Sequence, residues 1–260
     1  MFEPLKEFIS YRGMVRNLVK REIRGRYKGS ILGFLWNFIV PLVQILVYAL
    51  VFSTIFRSGL EHYAVFLTSG MIAWILFSES LIDGSGTLVA NSDMLKKIYF
   101  PRSVLPISIL LSKFVNYVIT MMIFFIFVAA INFGVSWQAL LCMLFMVPIY
   151  LVFLAGIVLM LSAINVYLRD IQYIVSVMMV ALIWLTPIMY VRDQFDNELL
   201  NVLLTINPMT YFVEVFQSIL YWKAVPSVSL ICTCLIISAV SFAVGCLIFN
   251  HLEKDFAEVL

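Results

Sequence analysis

Long apolar stretches dominate this chain. Six of them are nearly free of charged side chains, at residues 31–56, 63–81, 104–132, 137–164, 171–191 and 228–250. A helix of about 20 residues crosses a hydrocarbon layer of about 30 Å, and each stretch approaches or exceeds that length. Because the stretches are continuously apolar, they predict helices rather than the alternating strands of a membrane barrel.

The composition supports membrane insertion. Only 12% of the residues are charged and 63% are hydrophobic, whereas soluble domains carry about 25% charged residues. The sequence therefore predicts an all-α membrane protein with six spans in a single domain over residues 1–260. Residues 1–30 precede the bundle at 31–250, and residues 251–260 form a tail.

Lys and Arg concentrate on one side of the predicted bundle. Of the 17 such residues, thirteen lie before the first span, in the loops after the second and fourth spans, or after the last span. Positive charge in short loops marks the cytoplasmic side, so both termini are predicted to be cytoplasmic. No signal peptide is expected, because the first apolar run has full span length and begins at residue 31.

The segment before the first span predicts an amphipathic helix. Apolar residues recur there at helical spacing, and cations occupy the other side: Met14, Val15, Leu18, Val19 and Ile23 against Arg16, Lys20, Arg21 and Arg24. Such a helix lies in the membrane interface, with its apolar face toward lipid and its cations against lipid phosphates. A plain topology signal is the alternative, and it explains the charge but not the spacing.

The loop between the second and third spans predicts a short cytoplasmic helix. Gly84, Ser85 and Gly86 are expected to break the second span, and Asn91 or Ser92 can cap a new helix over residues 92–99. Its residues suit docking on a soluble partner: Ser92, Asp93, Met94, Leu95, Lys96, Lys97 and Tyr99. An ordinary interfacial loop is the alternative.

The outer stretch 192–227 exceeds the length of about 2–8 residues that a helix connection needs. Asn207 is placed to cap a helix, and Pro208 occupies its first position. The apolar face of this helix includes Tyr211, Phe212 and Phe216. Being short, and polar at residues 214 and 217, the segment predicts an outer-leaflet or re-entrant helix that roofs an exit.

Two ionisable residues inside predicted spans are candidates for a pair. Lys113 lies nine residues into the third span, about 14 Å by helical rise, and its side chain points back toward the helix N-terminus. Glu79 lies at a similar depth near the inner end of the second span. We expect a structural pair between them; snorkelling of Lys113 alone is the alternative.

Signatures of catalysis are missing from the sequence. It contains no G-x-x-x-x-G-K-[ST] phosphate loop and no H-E-x-x-H zinc motif, and its two histidines fall on opposite sides of the membrane. No cofactor or metal is therefore expected in this chain. The cysteines are read as small packing residues: Cys142, Cys232, Cys234 and Cys246.

Aromatic residues make up 15% of the chain. Some sit at span ends, where interfacial anchoring is the default, but others lie deeper or form stripes: Tyr48, Phe52, Phe56, Phe66, Phe77 and Trp184. Aromatic faces offer sugar rings apolar contact without tight hydrogen bonds, which suits a passage that a polymer must be able to leave. Lipid contact or core packing is the alternative for each of them.

Five segments together carry a family resemblance: "RYKGSILGFLWNFIVPL", "GMIAWILFSESL", "NSDMLKKIYFPRSVLPIS", "NVYLRDIQYIVSVMMVALIWLTPIMY" and "NPMTYFVEVFQSILY". The chain closely resembles the membrane subunit of ABC-2 type exporters. Within them it is similar to the branch that exports O-antigen, capsule or teichoic-acid chains on lipid carriers. The motifs keep their order and topological positions over nearly the whole chain.

The resemblance implies a homodimer in the bacterial cytoplasmic membrane, with two separate ATP-binding cassette subunits that hold ATP and Mg²⁺. Its cargo is a lipid-linked polysaccharide, and no nucleic acid is involved. The cytoplasmic helix at 92–99 then couples to the ATPase, and the segment around 207–222 forms the outer gate. A cationic gate for the lipid head group is assigned to Arg21, Arg24, Arg26, Tyr27 and Lys28.

The resemblance also implies a lateral opening between the first and fifth spans. It maps to Trp36, Tyr48 and Phe52 against Tyr173, Trp184 and Tyr190, with Phe56 and Phe77 added to the channel. A secondary transporter or flippase, and a membrane-embedded glycan or lipid transferase, are the rival functions.

Overall fold

Every regular element in the described part of the chain is a helix. The computed structural model describes residues 11–25, 30, 32–55, 60–97, 99–192 and 198–259. The α-helices are, in chain order, α1 Arg12–Gly25, α2 Trp36–Ile55, α3 Tyr63–Ala90, α4 Ser92–Lys97, α5 Val104–Ala130, α6 Trp137–Tyr167, α7 Ile171–Leu182, α8 Glu198–Ile206, α9 Pro208–Leu220, α10 Val228–Leu252 and α11 Phe256–Val259. The predicted all-α class is confirmed.

Four of these helices are long and apolar enough to cross a membrane, namely α3, α5, α6 and α10 with the short turn that follows it. A fifth candidate is the pair α8 and α9, whose axes differ by 89° across one residue. Such a bent pair forms either a broken span or a re-entrant loop. The predicted outer re-entrant segment therefore has its counterpart here, built from two helices.

The predicted fifth span, 171–191, is shorter than expected. Helix α7 has 12 residues, about 18 Å by helical rise, and the chain then turns. Pro187 accounts for the early end, because its ring would clash with the carbonyl of residue 183 and it has no N–H to donate. Helix α2 has 20 residues, and its described side chains give an apolar stretch at Trp36–Val47.

Helix α3 is the central helix of the bundle. It packs against α2, α5, α6, α7 and α9, and 78% of its most apolar window is buried inside the protein. Its largest buried neighbours are aromatic: Tyr150 and Phe153 of α6 with Phe212 and Phe216 of α9. The core therefore lies around α3 rather than around a central passage.

The predicted break at Gly84–Gly86 is absent, because α3 continues to Ala90. These glycines permit close packing instead. A β-carbon at Gly84 would lie 2.7 Å from a methyl carbon of Val158 on α6, which is too close. The glycine therefore brings α3 and α6 together without interrupting the helix.

The closest approach in the bundle is between α6 and α10. A β-carbon added at Gly156 would overlap the backbone of Ser241, and one added at Gly245 would overlap the backbone of Gly156. Helices in membranes approach most closely where small residues meet. Ser241 and Gly245, four residues apart, form such a small-residue face on α10.

Helix α1 has the predicted amphipathic pattern, but its apolar face rests on protein. Val15 and Leu18 are buried in a cluster with Leu88, Leu105 and Phe249, and α1 packs along α5. The expectation that this face turns toward lipid is wrong for these two residues. The ends of α3, α5 and α10 supply the apolar surface that lipid was expected to supply.

Candidate functional site

The end of the bundle that carries α1 and α4, here called the basic end, presents a short charged helix. Helix α4 has no buried residue, with Asp93 in its first turn and Lys96 and Lys97 in its last. This placement suits the helix dipole. The charged side chains are exposed, whereas Met94 and Leu95 pack against the bundle. The predicted helix over 92–99 is present at 92–97, and Tyr99 beyond it is fully exposed.

Helix α1 is tied to the junction between α3 and α4. Arg21 donates a hydrogen bond to Asn91 Oδ1 over 2.7 Å, and the Asn91 amide donates to the carbonyl of Thr87 over 2.9 Å. Arg24 is exposed on the same helix. The other predicted head-group residues, Arg26, Tyr27 and Lys28, lie outside the described residues.

Lys113 is held inside the bundle by two carboxylates of α3. It is 2% exposed, and its Nζ lies 3.3 Å from Glu79 Oε2, the contact that the sequence predicts. Nζ also donates to Asp83 Oδ2, which the sequence reading missed. The signal was available, because residues 79 and 83 stand four apart and share a helix face.

A polar cavity of about 60 Å³ adjoins this ion cluster between α2, α3 and α5. Three buried polar atoms of its lining residues have no hydrogen-bond partner in the part of the chain that the structure describes, namely Asn37 Nδ2, Asn116 Oδ1 and the Tyr117 hydroxyl. Pro41 also lines it and cannot donate to the carbonyl of Asn37, four residues earlier. A polar cavity of this size is suited to hold a few water molecules.

Two outer walls of the bundle carry large exposed apolar side chains. On α2 they include Val43 and Leu46, which are 50% and 45% exposed. Beyond them, Tyr173 is 65% exposed on α7 and Trp184 is 63% exposed just after it. Tyr190 is half-buried and donates to the carbonyl of Trp184 over 3.1 Å. These α7-side aromatics thus lie on or near the surface.

Among the described residues of one chain, the main helix contacts do not join the two predicted rows of the lateral opening. Helix α2 packs on α3 and α5, whereas α7 packs on α3 and α6. Trp36 is half-buried, and its indole N–H donates to Ser30 Oγ over 2.9 Å. The side chains of Tyr48 and Phe52, and Phe56 as a whole, lie outside what the structure describes.

Phe77 belongs to the core rather than to a passage. It is 5% exposed, and its ring stacks on Phe153 at 6.2 Å between centroids and lies 5.4 Å from Trp74. Phe66 is likewise buried. Phe77 does not line a channel in this structure, because its face of α3 packs on α6.

The outer helices are fixed by polar side chains. Asn207 Oδ1 accepts from the N–H of Met209, as the predicted cap requires, and Pro208 is the first helical residue. The Asn207 amide donates to the carbonyl of Leu185 over 3.0 Å and to Thr186 Oγ1 over 2.9 Å. Gln217 donates to the carbonyl of Pro187 over 2.9 Å. Helix α9 is thereby fastened to the turn after α7.

The predicted outer-gate aromatics have different environments. Phe212 and Phe216 are fully buried, with the ring of Phe212 stacked 4.7 Å from that of Phe153. They are part of the core, because α9 lies against α3 and α6. Tyr211 is half-buried, and its hydroxyl donates to the carbonyl of Thr205 over 3.0 Å.

Comparison with known proteins gives a consistent result. A family model described as ABC-2 type transporter matches residues 14–221. The chain is similar to O-antigen export system permease protein RfbA of Myxococcus xanthus, with 32% identity over 203 residues, which cover 78% of each chain. It is also similar to two proteins of that name from Klebsiella pneumoniae, with 29% and 27% identity over 210 residues and the same coverage.

Proposed function

Because the chain belongs to the ABC-2 type transporter family, we propose that it is the membrane permease subunit of an exporter that carries lipid-linked polysaccharide across the bacterial cytoplasmic membrane. The observation that carries this proposal is the match to O-antigen export permeases over 78% of the chain. The all-helical membrane architecture and the absence of a catalytic motif from the sequence agree with a transport role.

Energy comes from a separate protein in this proposal. The sequence has no phosphate loop of its own, so ATP and Mg²⁺ bind two ATP-binding cassette subunits on the cytoplasmic side. Helix α4 contacts them through its exposed Asp93, Lys96 and Lys97. The bond between Arg21 and Asn91 connects this docking helix to α1, so that ATP-driven movement reaches the gate for the cargo.

The permease works as a homodimer of six-span subunits. In one chain α2 packs on α3 and α5 whereas α7 packs on α3 and α6, which favours a second copy that places α2 of one subunit against α7 of the other. The opening between them admits the lipid head group. Arg21 and Arg24, with the neighbouring cations of residues 26 and 28, attract the pyrophosphate, and each contributes about 1 kcal/mol near an anionic surface.

On the outer side, α8 and α9 form the gate through which the polymer leaves. The amide of Asn207 holds α9 to the turn at Leu185 and Thr186, and the ion pair of Arg192 with Glu214 spans 3.5 Å. The first contact joins the gate to the turn after α7, and the second joins it to the segment that follows this turn. A shift of α7 at the subunit interface therefore moves the outer gate as well.

Copurification and reconstitution test the proposal. The chain should copurify with an ATPase encoded beside it, and ATP hydrolysis coupled to glycan transport should require this chain. Lys96→Glu with Lys97→Glu should weaken that association about tenfold. Arg169→Glu with Lys254→Glu is the matched control, since both residues are exposed at the basic end but lie outside α4. Uphill transport by the chain alone without nucleotide would support a secondary transporter instead.

A further inference from the structure

A second, larger cavity opens at the basic end between α1, α3 and α7. Its volume is about 580 Å³, and its polar lining residues are Glu22, Asp83, Thr87, Asn91, Gln172, Tyr173 and Ser176. Pockets for small ligands usually measure about 300–1,000 Å³. This cavity is thus large enough for a small polar ligand, unlike the cavity of about 60 Å³ beside Lys113.

The lining has the chemistry of a site for neutral hydroxyl groups. Carboxylates accept hydrogen bonds, amides both donate and accept, and hydroxyls do either, while the ring of Tyr173 offers an apolar face. Among the described lining residues, the charged ones are Glu22 and Asp83, which repel a phosphate or another anion. An acyl chain is disfavoured by the number of polar groups that it would leave unpaired.

Several of these groups are held in place by neighbours. Lys113 donates to one carboxylate oxygen of Asp83, whose side chain is nevertheless 41% exposed. Ser176 Oγ donates to the carbonyl of Gln172 over 2.8 Å, and the backbone N–H of Gln172 donates to Asn165 Oδ1 over 3.2 Å. Fixed polar groups lose less freedom on binding, which favours recognition of a ligand.

We propose that this cavity binds sugar units of the glycan, those that adjoin the pyrophosphate, as the cargo enters from the basic end. The inference rests on the proposed function and adds a sugar site inside each subunit. Asn91 links the two sites, because it lines the cavity and accepts the hydrogen bond of Arg21. Cations at the rim then hold the pyrophosphate while Asp83, Gln172 and Ser176 bind sugar hydroxyls.

Photocrosslinking in glycan-exporting cells tests the sugar site. A benzoylphenylalanine replaces Ser176, which lines the cavity, or Val177, which is 71% exposed on the adjacent face of α7. The inference predicts that position 176 forms a glycan adduct detectable with a lectin or antibody against the polymer. An adduct at 177 alone overturns the sugar site and leaves the export function standing. No adduct at either position also overturns the sugar site, and persisting export in the same cells leaves the export function standing.

A cavity-filling variant provides a second test that does not depend on the crosslinker. Among the described residues, a β-carbon added at Gly86 meets the flexible end of the Gln172 side chain at 2.7 Å and no backbone atom within 4 Å. Gly86→Leu therefore fills the cavity at the expense of a shift of the Gln172 side chain. Export of polysaccharide to the cell surface should fall about tenfold, while the thermal midpoint of the purified chain stays unchanged or rises. The control is Gly13→Leu on α1, where an added β-carbon meets no atom of the described residues within 4 Å. Unchanged export by a folded Gly86→Leu chain overturns the inference.

Discussion

The crossing of α6 with α10 and the outer walls on α2 and α7 differ in the size of their side chains and in how closely they are packed. At the crossing, Gly156 and Gly245 bring two backbones into direct contact. On the walls, large side chains point away from the protein, with Leu50 and Val177 70% and 71% exposed. Both regions are apolar, so hydrophobicity alone does not distinguish them.

The difference shows how a fold is fixed where lipid is as apolar as the side chains. In a membrane, helices are held together by close packing and polar contacts rather than by expulsion of water. Small residues therefore mark the contacts that stay fixed. Large exposed side chains mark surfaces that meet lipid or, as proposed above, a second copy of the chain.

Gly245→Leu should have the largest effect, because it breaks the fixed region at its closest point. The new side chain has no space against the backbone of Gly156, so α6 and α10 must separate. We expect a loss of more than about 4 kcal/mol in the free energy of unfolding, measured by denaturant titration in detergent micelles, with little folded protein recovered from membranes.

Gly13→Leu on α1 is the matched control for this prediction, since a β-carbon there meets nothing within 4 Å. A Gly245→Leu chain as stable as this control would show that the crossing is not a fixed contact. The α6–α10 crossing would then be no more firmly fixed than the outer walls on α2 and α7.

The double change Glu79→Gln with Asp83→Asn should cause the second-largest loss in the free energy of unfolding. It leaves the ammonium of Lys113, which is 2% exposed, without a carboxylate. An uncompensated buried charge costs about 3–5 kcal/mol. Adding Lys113→Met should restore most of the stability, because the charge is then absent. A triple variant as unstable as the double one would mean that the carboxylates act on some other group.

A third pair of variants contrasts packing with exposure directly. Leu154→Ala on α6, at 0% exposed, should cost at least about 2 kcal/mol through the cavity that it creates. Leu46→Ala on α2, at 45% exposed, should change the stability by less than about 0.5 kcal/mol. A larger, concentration-dependent loss for Leu46→Ala would show that a second copy covers this wall.

Local patterns predicted the features that depend on a few neighbouring residues. The cap at Asn207 with Pro208, helix α4 and the amphipathic face of α1 all follow from spacing or helix-end chemistry, and the structure has them. The contact of Lys113 with Glu79 followed from matched depths in two spans. Each of these predictions needed only the sequence and a rough position along the membrane.

Features set by contacts between distant helices were missed. Whether a glycine breaks a helix or permits close packing depends on what faces it, and for Gly84 that is Val158 on α6. The burial of Val15 and Leu18 depends on the ends of other helices. The crossing at Gly245 did leave a signal in the sequence, because Ser241 and Gly245 form a small-residue pair.

The smallest predicted effect concerns two buried serines of α3 that differ in their hydrogen bonding. Ser80 and Ser85 are both fully buried, but Ser85 Oγ donates to the carbonyl of Ile82 over 2.9 Å, whereas Ser80 Oγ has no partner among the described residues. Ser80→Ala removes an unpaired hydroxyl and should leave the thermal midpoint unchanged or slightly higher. Ser85→Ala loses a bond worth about 0.5–1.5 kcal/mol and should lower it. The reverse order would mean that Ser80 has a partner, such as water, and that α3 is hydrated at the depth where its packing looks most complete.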